Sequence, residues 1–341
     1  MRLLSRILKA SRDGRNGSAH SLTGRAGTNA AKAAVQRPKL LVASPASPSA
    51  ETVLPPEEGA SILDEIAAAL GRHVILPPGG AETTALWVLH AHAHDAAQIS
   101  PLLAIISPDI GCGKTTLLAA LAELTPASLF VSDLTSAGLY RTITRAKHTL
   151  LIDEGEMVLS GNTLLRRLVN SGHRRDGARV LRADNAFDTW CPKVLASVGD
   201  PPVTVCDRSI RIFLNRKRHS TVAPLDAVAR ARLNELSLQA AQWTTQRLDR
   251  IAAANPAMPA MPATLGNHTA DNWRPLTAIA DEAGGRWPDL ARSLATQATP
   301  DAEADESSAI GTLRDIRQAF AREETDRMAT ISLVHAQRRS G

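Results

Sequence analysis

Residues 101–116, PLLAIISPDIGCGKTT, run a short apolar stretch into a glycine-bearing turn and on into the helical LLAALAEL. Few local patterns constrain a fold as tightly. A strand delivers a loop whose glycines let backbone N–H groups close on phosphate oxygens, and the helix that follows turns its positive N-terminus toward them. Gly111, Cys112, Gly113, Lys114, Thr115 and Thr116 are therefore the expected binding residues for a nucleoside triphosphate, ATP. Lys114 would reach the β and γ phosphates, and Thr115 would place its hydroxyl on Mg²⁺. The pattern G-x-x-x-x-G-K-[ST] puts its first glycine at 108, where this chain has Pro108. Proline holds φ near −65°, so the loop must enter differently. A chance lysine-bearing turn is the rival reading; the strand before it and the helix after it speak against that.

Composition narrows the class. The chain has 341 residues, 44% of them hydrophobic, with a net charge of +5. It can bury a good-sized core, and no apolar run approaches the roughly 18 to 20 residues of a membrane span. A small basic excess fits a polyanion partner and equally a merely soluble surface. The three cysteines, Cys112, Cys191 and Cys206, form no C-x-x-C pair, which points to a reducing cytoplasm without disulfides or structural zinc. Cys112 lies inside the loop beside Lys114, where a thiol would be expected to turn into a reactive thiolate that nucleotide protects.

Four segments follow from the pattern. Residues 1–57 carry a single acidic residue, Asp13, before Glu51 and read as a disordered basic tail. Its start, MRLLSRILKASR, resembles a transit peptide in charge, or an upstream start codon. Helices over 61–70 and 81–95 would form a cap over 58–100. Between 101 and 220 short apolar runs alternate with helices, the signature of a parallel sheet covered on both faces. Strands are expected at 102–107, 128–131, 148–153, 193–198 and 209–214, and helices near 115–124, 135–146 and 162–171. ARVLRAD (178–184) breaks the rhythm as a hairpin arm. From 221 to 341 the spacing turns helical, over 226–254, 271–284, 287–297 and 304–327, as a separate helical domain split by ANPAMPAMPA.

Around the loop a second group of residues carries chemistry. HTLLIDEGE (148–156) is an apolar strand ending in two carboxylates, and in such sheets catalytic groups gather at the carboxyl ends of strands. Asp153 would hold Mg²⁺, commonly through water, and Glu154 would polarise the water that attacks the γ phosphate. Ser197, ending KVLAS, is the candidate polar residue between them and the γ phosphate; a small core residue is the alternative. Arg208 precedes the last strand, where it could act as an arginine finger in a neighbour's site or pair with Asp207. His173, Arg174, Arg175, Arg179 and Arg182 flank a glycine-bearing turn suited to gripping a phosphodiester backbone, single-stranded DNA above all, without reading bases. Phe187 and Trp190 are the stacking candidates nearby. His90, His92, His94 and Asp95 have helix-face spacing but no second ligand cluster, so a metal site is not expected there.

Taken in order, SPDIGCGKTTLL, TLLIDEGE, NSGHRRDGARVLR, DTWCPKVLASVGD, DRSIRIFL and DNWRPLTAIADEAGGRWP resemble the bacterial family known as domain of unknown function 3631, over about residues 81–297. That family is found in phages, plasmids and integrated elements, often behind primase-type domains, and Ser107 and Pro108 are usual in its loop. The resemblance implies an α/β, parallel-sheet P-loop NTPase core of the RecA or AAA kind with a C-terminal helical lid. It also implies an ATP- and Mg²⁺-dependent hydrolase, helicase-like and DNA-binding, with Arg274 of DNWRPL as a lid residue that senses the γ phosphate. The alternative for that segment is a core helix with Arg274 on its solvent face. No primase or zinc-binding domain is expected before residue 81; if the chain is a primase-helicase remnant, priming would come from another chain.

The expectation is thus a cytoplasmic Mg²⁺-dependent ATPase that drives a DNA helicase or translocase of a mobile element. It would form a homo-oligomer, a ring, if Arg208 acts in trans. A nucleotide-binding recruitment module with little turnover is the first rival. A small-molecule kinase is the second, disfavoured by adjacent Asp153 and Glu154 in hydrolytic roles.

Overall fold

In a computed structural model of the chain, the residues described are 57–131, 148–155, 163–182, 185–215, 222–259, 267–297, 317 and 320. The expected tail up to residue 56, the helix expected over 135–146, the side chain of Arg182 and nearly all of 304–327 lie outside them.

Among the described residues seven strands are formed. They are β1 (Leu102–Ser107), β2 (Leu129–Val131), β3 (Leu150–Ile152), β4 (Arg179–Arg182), β5 (Asn185–Asp188), β6 (Lys193–Val198) and β7 (Ser209–Phe213). Five make one sheet in the order β2-β3-β6-β1-β7, and its pairings are all parallel, with Ile105 opposite both Ala196 and Ile212. Every residue of β1 is buried, as befits a parallel strand covered on both faces, where an unbroken apolar run replaces alternation. The remaining two form an antiparallel hairpin, Val180 opposite Phe187, at the position of the expected arm.

The helices are α1 (Glu57–His73), α2 (Gly80–His92), α3 (Lys114–Leu124), α4 (Thr163–Ser171), α5 (Val203–Cys206), α6 (Ala227–Thr245), α7 (Leu248–Ala253), α8 (Asn267–Ala283) and α9 (Trp287–Gln297). A 3₁₀ turn at His94–Ala96 links α2 to β1. The expected helix over 226–254 is two helices, because the chain turns at Gln246 and Arg247 before α7.

The sheet's faces are covered unequally. Leu103, Ile105, Val194, Ala196, Ile210 and Ile212 share one core with Leu63, Trp87, Leu117, Leu121, Leu233, Trp243, Trp273 and Trp287. Ala104, Ile106, Ile152 and Leu195, on the other face, meet Leu168 and Val169 of α4 and Val205 of α5. Trp87, Trp243, Trp273 and Trp287 are wholly buried; truncation of any one to alanine costs about 3 to 5 kcal/mol. Because α1, α2, α6, α8 and α9 all enter that first core, the described residues on either side of the boundary expected at residue 220 pack together: those from 57 onward belong to one compact unit. Among the described residues no helix is long and apolar enough to cross a membrane.

Candidate nucleotide site

The loop that joins β1 to α3 has positive φ at Gly111 (78°) and Gly113 (95°) and at no other loop residue. These are the two positions where a side chain would strain the turn. Position 108 has no such requirement, so the proline that departs from the sequence pattern fits the backbone it occupies. Gly113 caps α3, and Leu117 N–H donates to Gly113 O at 2.9 Å. The N–H groups of the first turn, from Lys114 to Thr116, are left to point out of the helix end. Lys114 Nζ donates to Ser107 Oγ at 2.7 Å and to Asp109 O at 3.2 Å, while Ser107 Oγ donates to Asp109 O at 2.6 Å.

The carboxylates come from β3. In the sheet β6 lies between β3 and β1, which separates their carboxyl ends by two strand spacings, about 10 Å. That gap leaves open space between the loop and the acids. A cleft of about 400 Å³ opens there, lined by Gly111, Gly113, Lys114, Thr115 and Thr116 from the loop and Asp153 and Glu154 from the strand end. Asp153 Oδ1 accepts from Glu154 N–H at 2.9 Å. Glu154 itself has φ 52°, a left-handed conformation that costs a non-glycine residue about 1 to 2 kcal/mol and places an exposed carboxylate at the mouth.

Several expected residues stand elsewhere. Cys112 is buried and packs into the main core instead of lining the cleft, which the expected reactive position did not foresee. Ser197 is fully buried, and it is Val198 that lines the cleft. Ser197 Oγ donates to Val198 O at 3.4 Å. Side chains alternate along a strand, so Ser197 shares the sheet face of Leu195, which packs toward α4 and not toward α3.

The basic residues gather at the opposite, amino-terminal edge. Ser100 N–H donates to His173 O and Arg175 N–H to Gln98 O, pinning the 171–177 turn to the segment entering β1. Arg208 O accepts from Leu102 N–H at 3.0 Å, and Arg208 Nη1 donates to Thr204 O at 2.7 Å; among the described residues it forms no ion pair with Asp207. The six residues of β1, at about 3.3 Å each, put nearly 20 Å between Arg208 and its own loop.

His173 is 5% exposed and its Nε2 lies 2.8 Å from Asn272 Oδ1. Asn272 Nδ2 donates to Asp207 O at 3.0 Å. His173 is therefore a buried strut between the turn and α8, and not a phosphate contact. Burial lowers its pKa, the Asn272 bond offsetting part of that, with Arg208 nearby lowering it further. Arg174 is exposed and pairs with Asp176, and Arg175 donates to Asp95 O at 2.6 Å. Arg179 is exposed on β4. Trp190 is 6% exposed and lies against His94, ring centroids 4.4 Å apart, so it offers no face to a base.

Arg274 also lies at this amino edge, beside Gln98 and Ile99, in a pocket separate from the cleft. Its expected role at the γ phosphate of its own loop is not supported by that position. Trp273, Leu276 and Ile279 form the buried face of α8.

Sequence reading missed Lys193. Its ammonium is buried and donates to Cys191 O (2.8 Å), Thr189 O (3.0 Å) and Gly172 O (3.5 Å), tying the basic turn to the start of β6. A Cβ on Gly172 would lie 2.2 Å from that nitrogen and 2.3 Å from Thr189 O. The signal was a lysine opening an otherwise apolar strand.

His90 is buried, His92 Nε2 lies 2.8 Å from Leu124 O, and His94 Nε2 lies 2.9 Å from Ser100 Oγ.

Residues 213–340 match the family described as "Protein of unknown function (DUF3631)". That stretch contains DNWRPLTAIADEAGGRWP and the end of DRSIRIFL; the loop and the carboxylates precede it. A Saccharopolyspora erythraea protein described as "Uncharacterized 28.9 kDa protein in xis 5'region" is 34% identical over 107 residues, 31% of this chain and 38% of that one. Among solved structures, an MCM homolog from Methanopyrus kandleri superposes with a TM-score of 0.44 at 11% identity, over 73% of this chain and 63% of that one. JCV helicase gives 0.31 at 16% identity, over 72% of each chain. The chain thus spans less than two thirds of both the curated relative and the first of these structures. Over residues 213–340 the chain is thus similar to the family described as Protein of unknown function (DUF3631).

Proposed function

We propose that the chain is a Mg²⁺-dependent ATPase whose hydrolysis drives movement on DNA, as a helicase or translocase. The observation that carries this reading is a single cleft in which the Lys114 loop and the Asp153–Glu154 strand end face one another. Among the described residues no cluster of three or more His, Cys, Asp or Glu could hold a resident metal. The cleft offers instead the few hard oxygen donors that suit Mg²⁺ arriving with a nucleotide: the Thr115 hydroxyl and, through water, Asp153. Bound there, the ion would neutralise charge building on the phosphates. Glu154 takes a proton from the attacking water or orients it, and Lys114 leaves Ser107 for the phosphates.

Arg208, too far from its own loop, serves the site of a neighbouring copy, which makes the working unit a homo-oligomer, a ring being one closed arrangement. DNA contact falls to the exposed Arg174, Arg175 and Arg179 near the β4–β5 hairpin, through phosphates and without base readout. The mobile-element setting and a separate primase come from the family resemblance alone.

Phosphate release with and without single-stranded DNA tests the reading. DNA-stimulated turnover that Glu154→Gln abolishes supports it. ATP binding without turnover would replace it with the recruitment module.

A further inference from the structure

The 3₁₀ turn after α2, the end of α7 and the middle of α8 enclose a pocket of about 100 Å³ that opens to solvent. It lies at the amino edge of the sheet, away from the nucleotide cleft. Its walls are mostly apolar, with Ile99, Ile251, Pro275 and Ala278 among them, and three polar residues interrupt them: His90, Gln98 and Arg274. His90 is 1% exposed and its Nε2 has no hydrogen-bond partner. Burial keeps the ring neutral, its pKa lowered to about 3. Among the described residues no hydrogen bond or ion pair satisfies Arg274. A buried unmet group such as His90 Nε2 costs on the order of 1 to 3 kcal/mol, and the majority of buried polar atoms in folded proteins avoid that cost by finding a partner; Arg274 is half-buried and keeps part of its hydration.

We propose that this pocket binds a small organic monocarboxylate with a short apolar tail. The volume admits a molecule of roughly four to seven heavy atoms, taking about 15 to 25 Å³ for each, or about three waters at roughly 30 Å³ each. A single carboxylate matches Arg274 charge for charge and can meet its planar fork with two oxygens. The Nε2–H tautomer of His90 supplies a neutral donor. A phosphate dianion would bring a second charge that nothing in these walls balances, at a large desolvation cost. Occupancy would also reach the rest of the molecule. Asn272, two residues from Arg274, holds Asp207 O and His173, and Gln98 in the pocket wall accepts from Arg175 N–H.

Butyrate is the probe, titrated into the full chain while the His90 ring signals are followed by NMR, with inorganic phosphate as the comparison anion. The expected result is a saturable shift of His90 with butyrate and none with phosphate. Arg274→Gln should weaken binding about tenfold or more, and Ala252→Leu, at the exposed rim, should block it with the melting temperature unchanged. No saturation by butyrate at any concentration tested, or equal shifts from both anions, overturns the proposal and leaves ordered water as the occupant. These readouts need no ATP hydrolysis, so they stand or fall apart from the proposed activity.

Discussion

Lys114 Nζ donates to Ser107 Oγ at 2.7 Å, joining the first residue of α3 to the last residue of β1 across the turn that separates them. Lys114 rests on its own loop, and in the proposed function binding a triphosphate would exchange that neutral hydroxyl for anionic oxygens. Lys114→Ala should weaken ATP binding a hundredfold or so, since charge-assisted bonds to phosphate are about twice as strong as neutral ones. Ser107→Ala, which removes only the resting partner, should change affinity by less than about tenfold. Fluorescent-nucleotide titration of both variants measures the difference, and equal losses would mean that Ser107 itself holds the ligand.

Glu154 combines a strained backbone with an exposed carboxylate. Glu154→Gly should relieve the strain and stabilise the fold by about 1 kcal/mol, less glycine's entropy in the unfolded chain, while removing turnover. Calorimetry beside a phosphate-release assay reads both. A less stable, fully active variant would show that neither the strain nor the carboxylate matters here.

Arg208 and Lys114 occupy opposite edges of the sheet. If each cleft is completed by a neighbour, the inactive variants Arg208→Ala and Lys114→Ala should regain part of the wild-type rate when mixed, because some interfaces then join an intact loop to an intact arginine. Mixed samples that stay inactive, although sedimentation detects hetero-oligomers, would remove the trans assignment.

Lys193 gives its three N–H donors to three carbonyls. Lys193→Met keeps the length of the side chain and strands those acceptors, at a cost of about 2 to 4 kcal/mol. Urea denaturation should record that loss, and a loss under about 0.5 kcal/mol would mean that the carbonyls find other donors.

Acid should weaken the fold through its buried histidines. Burial lowers the pKa of His90, His92 and His173 below the ordinary 6.5, for His90 to about 3. Below pH 6.5 the unfolded chain takes up protons that these folded rings refuse, so stability falls with pH from 6.5 downward until each folded pKa is reached. His90 alone contributes a slope of about 1.4 kcal/mol per pH unit across that window. His90→Leu should flatten the curve by that amount between about pH 6 and 4 in denaturant titrations, and an unchanged slope would place the acid sensitivity elsewhere.

The strand–loop–helix, the edges of β1 and β6 and the pair Asp153–Glu154 were legible in the sequence because each is local: an apolar run of strand length, glycines where the turn needs positive φ, and acids at a strand end. The departure at Pro108 looked like a flaw only because a sequence pattern cannot say which loop positions demand positive φ. Ser197, Cys112, His173 and Arg274 could not be placed the same way. Whether a side chain faces a cleft or a core depends on which sheet face its strand presents and which helices cover it, and those partners lie far away in the chain, as Arg274 does from His90 and Gln98. Asn272 reaching His173 across 99 positions is a contact of that kind. By itself the sequence determined that a glycine-bearing strand–loop–helix and a pair of carboxylates at a strand end exist on a parallel sheet. Only the tertiary structure decided that β6 separates their strands by one place, and that the arginines gather at the other end. Strand order and sheet face are set by the packing of the whole core, and no short stretch of residues encodes them.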